Sequence, residues 1–219
     1  MLKTVLLSTA ALALIATAAG ARPQVTLSHD NRFVSVMPGK TQAASHDPGK
    51  ISYVYTTIDH DKKGAYFCCY GSTISGPSSF FGAAYGVAEQ FTLTSAATIS
   101  HLAAGVGYVS GDDTVTLTLY ADNGNNQPGK MIAQGTGTTT TEFGFCCGVT
   151  KAKIKSTDLK ASTPYWVAIT TTGANFEAAG FQVSNEVDRY TYLSYTSNGG
   201  TSWSSGFSET EYNPAIGVY

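Results

Sequence analysis

Charge is scarce in this 219-residue chain: only 13% of its residues are Asp, Glu, Lys or Arg, the formal charge is −2, and no long block of one sign occurs. Such a balance gives no reason to expect nucleic acid or an anionic membrane as a partner. The one basic cluster, Lys151, Lys153 and Lys155, alternates with small or apolar residues. On a strand it forms a single solvated face. Long helical periodicity is missing beyond the first residues, so a helical bundle has nothing to be built from. Catalytic signatures are missing as well. No serine sits in Gly-x-Ser-x-Gly between a strand and a helix, and no glycine-rich phosphate loop follows a strand. Of the four histidines only His60 lies between carboxylates, Asp59 and Asp61, and Lys62-Lys63-Gly64 beside it reads as an exposed turn. His101 falls in an apolar strand pattern and reads as a packing residue.

What is present begins with the leader. Met1-Leu2-Lys3 precedes an apolar run over 5–15 and then small residues up to Ala21, the pattern of a secretory signal peptide, 1–21, with cleavage before Arg22 after Ala19/Ala21, and Ala16/Ala18 as an alternative site a few residues earlier. The run is too short to span a bilayer. No cysteine stands directly after it, as a lipoprotein anchor would need, and no apolar tail closes the chain, so the mature protein is expected to be secreted, extracellular or periplasmic, without a membrane span. Cleavage also removes Lys3 and moves the formal charge from −2 to −3.

Cysteine is confined to two doublets, Cys68-Cys69 and Cys146-Cys147. An oxidising compartment favours disulfides, and four thiols allow three pairings. Closing each doublet on itself demands a strained ring and ties no distant segments together. Joining the doublets closes a long loop worth about 4.5 kcal/mol in the chain-entropy model. Adjacent residues on a regular strand face opposite ways, so two parallel bridges need one doublet bent, which Gly71, Gly144 and Gly148 permit. Zinc ligands are spaced so that both sulfurs converge, unlike adjacent cysteines. Cross-linking of the doublets is the favoured reading.

Strand patterns fill the rest. Residues 113–121 alternate so that Val115, Leu117 and Leu119 share one face and Thr114, Thr116 and Thr118 the other, a half-buried strand. The turn-rich 122–129 and a return strand at 130–134 make a hairpin. Further strands are expected at 51–57, 87–94, 98–109, 149–154, 165–171, 178–183, 190–196 and 215–219. Many short strands separated by turns predict an all-β fold, an antiparallel β-sandwich of jelly-roll type, over 51–219. Residues 22–50, with Pro23, Pro38 and Pro48, read as an extended N-terminal segment.

The phrases Val115-Thr-Leu-Thr-Leu-Tyr-Ala-Asp-Asn-Gly124, Pro128-Gly129-Lys130, the run 159–169 that contains Tyr165-Trp166, and Tyr195-Thr-Ser-Asn-Gly-Gly-Thr-Ser-Trp203 before Ile216-Gly-Val-Tyr219 together resemble the bacterial choice-of-anchor R domain and its secreted relatives with paired cysteines, over 51–219. The resemblance implies an extracellular β-sandwich of surface proteins and carries over no catalytic residue. Its members are named for varied C-terminal anchors, and this chain shows none.

The functional wager falls on aromatic residues, because a sugar ring stacks its C–H face on a flat side chain while amides and carboxylates bond its hydroxyls. Tyr190 and Tyr192 share a strand face, Trp203 follows a Ser/Gly/Asn loop, and Asn198 and Asp188 lie near in sequence. Trp166 reads as core. No organic cofactor is called for; calcium is the inorganic candidate, with Asp112, Asp113 and Asp122 offering hard oxygens outside EF-hand spacing. A secreted, disulfide-stabilised, non-catalytic module that binds carbohydrate or extracellular surface components is the leading expectation. A structural or adhesive component is the second. A glycoside-acting hydrolase or lyase using two of Glu177, Glu186, Asp188, Glu209 and Glu211 is the third.

Overall fold

A computed structural model describes residues 25–36, 51–58, 67–139, 141–144, 148–181, 191–209 and 213–219. Its strands are β1 Val25–Leu27, β2 Phe33–Val36, β3 Tyr55–Thr56, β4 Phe67–Ser75, β5 Gly86–Thr92, β6 Ala97–Ser110, β7 Thr114–Asp122, β8 Pro128–Thr138, β9 Val149–Leu159, β10 Pro164–Thr171, β11 Phe176–Phe181, β12 Thr191–Thr196, β13 Phe207–Glu209 and β14 Ile216–Val218. They form two antiparallel sheets packed face to face, a β-sandwich. One has eight strands, β1-β2-β4-β11-β6-β14-β3 with β9 also on β6; the other has six, β13-β12-β5-β10-β7-β8. The 14-residue β6 is long enough to pair with β9 at Ala97–Gly105, β14 at Leu102–Ala104 and β11 at Val106–Ser110.

Alternation decides what lies between the sheets. Val115, Leu117 and Leu119 of β7, Tyr165, Val167 and Ile169 of β10, and Val87 and Phe91 of β5 meet Leu102, Ala104 and Val106 of β6 and Ile216 and Val218 of β14. The hairpin β7–β8 forms as the turn signals predict. At its tip, Gly124 N donates to Asp122 Oδ1 at 2.7 Å and Asn125 N to Asn123 Oδ1 at 2.8 Å, the local bonds that favour Asx residues in turns. Lys151, Lys153 and Lys155 do share one exposed face of β9, with Thr150, Ala152 and Ile154 buried on the other.

Three expectations need correction. The sandwich begins at Val25, since β1 and β2 form a hairpin that adds to β4 through Phe33–Ser35. Val34 and Val36 are buried there; the prolines around this segment masked a short Val/Leu alternation. Next, β7 is covered on both faces, with Thr116 and Thr118 only 7% and 4% exposed. Finally, the first cysteine doublet lies within a strand, β4, whose register against β11 shifts between Gly71–Gly180 and Phe67–Phe181. The doublet therefore sits where β4 carries extra residues and leaves the regular ladder. Cys69 is buried in the outer-face cluster of the eight-stranded sheet with Val34, Val36, Phe143, Phe176 and Ala178. Cys146 and Cys147, the leader 1–21 and His60 with its carboxylates lie outside the described residues. Among the described residues no helix is long and apolar enough to cross a membrane.

Candidate functional site

The side chains that alternate outward from the six-stranded sheet build a second, smaller cluster. Ala88 of β5 and Trp166 and Ala168 of β10 are fully buried there, and Tyr120, Tyr192 and Trp203 pack against them. Register explains the meeting: Trp166 lies directly opposite Gln90 on one neighbour and Tyr120 on the other, and Ala168 opposite Ala88 and Thr118. Trp203 packs onto this cluster from the 197–206 loop, meeting Tyr120 edge to face at 5.9 Å between ring centroids.

That loop is held by short-range bonds. Asn198 Oδ1 accepts from Thr196 Oγ1 at 2.8 Å and from Ser202 N at 2.9 Å, while its Nδ2 donates to Ser202 Oγ at 2.7 Å. Gly199 and Gly200 both take positive φ, 70° and 87°, which side chains resist. A Cβ on Gly200 would also crowd the Tyr120 hydroxyl and the Trp203 ring. Further along, Ser194 Oγ donates to Ser204 O at 2.7 Å and Tyr195 N to Ser204 Oγ at 2.9 Å. The loop is thereby fastened to β12 on both sides of Trp203.

Asp122 closes one end of the cluster. Its Oδ2 accepts from Trp166 Nε1 at 2.8 Å and Gln90 Nε2 at 2.9 Å. Burial pushes the Tyr120 hydroxyl up, opposed by the nearby Trp203 and Thr118 side chains. Trp203 Nε1 is nevertheless buried without a hydrogen-bond partner among the described residues, so its influence on Tyr120 is a proximity effect and not a formed bond.

Beyond the loop the same face opens into a depression of about 410 Å3, lined by Thr116, Gln134, Thr170, Thr172, Ser197 and Asn198, with Pro77, Ala83 and Ala84 on the opposite rim. The rim is fixed to the loop, because Ala84 N donates to Ser197 O at 3.2 Å and Gly199 N to Ala84 O at 2.9 Å. No lining side chain is charged. The surface offers hydroxyls, amides and a few methyl groups.

The structure brings together Tyr192 and Trp203, with Asn198 on the same loop as Trp203. It places Tyr190 and Asp188 outside the described residues, along with Glu186 and Glu211. The calcium candidates do not meet. Asp112 and Asp113 line a cleft with Tyr108 and Glu142 before β7 begins, whereas Asp122 ends β7 with its carboxylate already engaged. Among the described residues no three His, Cys, Asp or Glu side chains gather where a metal ion could be held. Two carboxyls are enclosed between the sheets: Glu177, 0% exposed, and Glu89, 1% exposed with Oε1 accepting from the Tyr55 hydroxyl at 3.3 Å. Sequence reasoning passed over Glu89, Tyr120 and Gln90. The outward parity of Tyr120 with Thr116 and Thr118, and the charge at an inward position in Val87-Ala-Glu-Gln-Phe91, were the available signals.

Comparison with family models, with curated proteins and with solved structures finds no match.

Proposed function

We propose that this protein is a secreted, non-catalytic β-sandwich module that binds a neutral carbohydrate on the outer face of its six-stranded sheet. The observation that carries the reading is the uncharged, hydroxyl- and amide-lined depression beside the fastened Trp203 loop. Hydroxyl and amide groups already held in place exchange hydrogen bonds with sugar hydroxyls at little ordering cost, and the absence of charge in the lining disfavours an ionic ligand. Enclosure between the sheets sets Glu177 aside as a general acid for the hydrolase reading, because such a group must reach the proton it transfers. Secretion rests on the leader pattern of 1–21.

Jelly-roll connectivity belongs to the same proposal. From β4 to β11 the chain crosses between the sheets at every step except the β7–β8 hairpin, with β4-β11-β6-β9 in one sheet and β5-β10-β7-β8 in the other, an order that supports two nested Greek keys. Likeness to the choice-of-anchor R domain is carried by the quoted residues alone. The cysteine cross-link draws support from Phe143, which shares the Cys69 cluster and precedes Cys146 closely in the chain.

The structural or adhesive reading draws on one observation, Phe80. It is 71% exposed in the loop between β4 and β5, tilted against Phe81 and edge to face with Phe176, and exposed rings of this kind anchor protein contacts. A glycan-array screen of the oxidised mature protein, with and without calcium, separates the two. Binding that falls by roughly tenfold, about 1.4 kcal/mol, in Gln134→Ala, whose side chain lines the depression, supports the sugar module. Absence of binding to every glycan moves the assignment to a protein-contact role.

A further inference from the structure

Asparagine is followed by glycine at two exposed places, Asn123-Gly124 at the tip of the β7–β8 hairpin and Asn198-Gly199 in the loop before Trp203. In such a pair the glycine nitrogen can attack the carbonyl carbon of the asparagine side chain, since no Cβ on the glycine obstructs ring closure. By sequence the two pairs are alike; their hydrogen bonds differ. At the hairpin tip the groups stand as that reaction requires. Gly124 N, the nucleophile, donates to Asp122 Oδ1 at 2.7 Å, within the reach of a general base. Trp166 and Gln90 hold Oδ2 of the same carboxylate, which fixes the base in place. Asn125 N donates to Asn123 Oδ1 at 2.8 Å, the atom on which negative charge develops when the carbonyl is attacked. Asn123 Nδ2, the leaving nitrogen, donates to Gln127 Oε1 at 3.0 Å. A Cβ on Gly124 would meet nothing within 4 Å, so the approach is open. At the second pair Gly199 N donates to the Ala84 backbone oxygen at 2.9 Å, and a backbone carbonyl takes no proton at neutral pH. The Asn198 amide is also held by Thr196 and Ser202.

We infer that Asn123 is a site of self-catalysed deamidation with Asp122 as the base, and that Asn198, in the same sequence context, is protected. Gly124 N gives its proton to Asp122 Oδ1 and bonds to Asn123 Cγ. The bond from Cγ to Nδ2 then breaks, and the nitrogen leaves as ammonia, carrying that proton. Water opens the resulting succinimide at either carbonyl and leaves aspartate or isoaspartate. Both products place a new negative charge next to Asp122, and isoaspartate also diverts the backbone of the hairpin tip through the side chain. The inference does not depend on the outer-face depression binding anything.

The test is a time course of the folded, oxidised mature protein at neutral pH, with the two Asn-Gly peptides followed by mass spectrometry and the urea-unfolded chain as reference. In the unfolded chain both sites are expected to react at similar rates. In the folded protein Asn123 should react roughly tenfold or more faster than Asn198, and faster than Asn123 does in the unfolded chain, as a positioned base implies. Asp122→Asn, with its fold checked by thermal melting, should bring the folded rate at Asn123 down to the unfolded one. Equal rates at the two sites in the folded protein, or a slower reaction at Asn123 than in the unfolded chain, would overturn the inference, and that comparison decides it even if Asp122→Asn fails to fold. A folded Asp122→Asn protein that reacts as fast as the parent also overturns it.

Discussion

Neither oxygen of the Glu177 carboxyl has a hydrogen-bond partner among the described residues. Thr171 lies near, but its hydroxyl proton goes to Thr114 O at 2.7 Å. Burial is the main reason that the Glu177 carboxyl is pushed from 4.5 up to about 8; the Asp113 charge adds to the rise and Thr171 opposes it. A carboxyl raised in the folded state binds its proton more tightly there than in the unfolded chain. Its stabilising contribution is therefore complete below about 4.5 and is lost as pH rises toward 8. Glu177→Gln, which stays neutral, should be nearly as stable as the parent at pH near 4.5 and more stable above 8. Urea unfolding of both proteins across that window checks this; parallel pH profiles would show that Glu177 does not titrate as described.

At the scale of elements, the edge where β8 passes β9 depends on glycine. Gly135 and Gly137 alternate on one face of β8, and a Cβ on either would run into the carbonyl oxygens of Lys153 and Lys151 on β9. These strands belong to different sheets, so the missing side chains let the sandwich pinch shut along this edge. Gly135→Ala should cost about 1–3 kcal/mol, the usual range for overpacking, with loss of the close approach. Thr136→Ala between them is exposed and should change stability by less than about 0.5 kcal/mol. Equal effects in denaturant unfolding would mean that the backbones separate freely.

For the whole molecule, the proposed cross-link between the cysteine doublets bears on how the outer face of the eight-stranded sheet is tied to the rest. Cys69 is part of the cluster that also holds Phe143 and the β2 valines. A bridge from β4 to the second doublet would fasten β4 to the segment that leads into β9. Peptide mapping of the non-reduced protein is expected to recover 68–69 linked to 146–147, and reduction should lower the melting temperature, in keeping with a loop-closure contribution of about 4.5 kcal/mol. Vicinal pairs with an unchanged melting temperature would instead leave that face held by packing alone.

Much of the strand pattern was written in alternation. Val115, Leu117 and Leu119, the Lys151–Lys155 face and the Asn/Gly turn at 122–129 could be read directly, because a period of two and a cluster of turn formers are local properties of the chain. Local reading failed where burial depends on what arrives from elsewhere. Thr116 and Thr118 look solvent-facing until the outer face of their sheet is covered, and Trp166, read as core, is indeed fully buried, but in the smaller cluster on the outer face with Trp203 packed against it. The loop position of Trp203 was legible; its packing on the cluster of Ala88, Trp166 and Ala168 was not, since that cluster gathers residues from separate strands and a loop, Ala88 more than a hundred positions from Trp203. The chain by itself determined an antiparallel all-β protein with its turns and strand faces. Only the tertiary structure decided which faces stay open to a ligand, because openness is set by the neighbours that long-range pairing brings together.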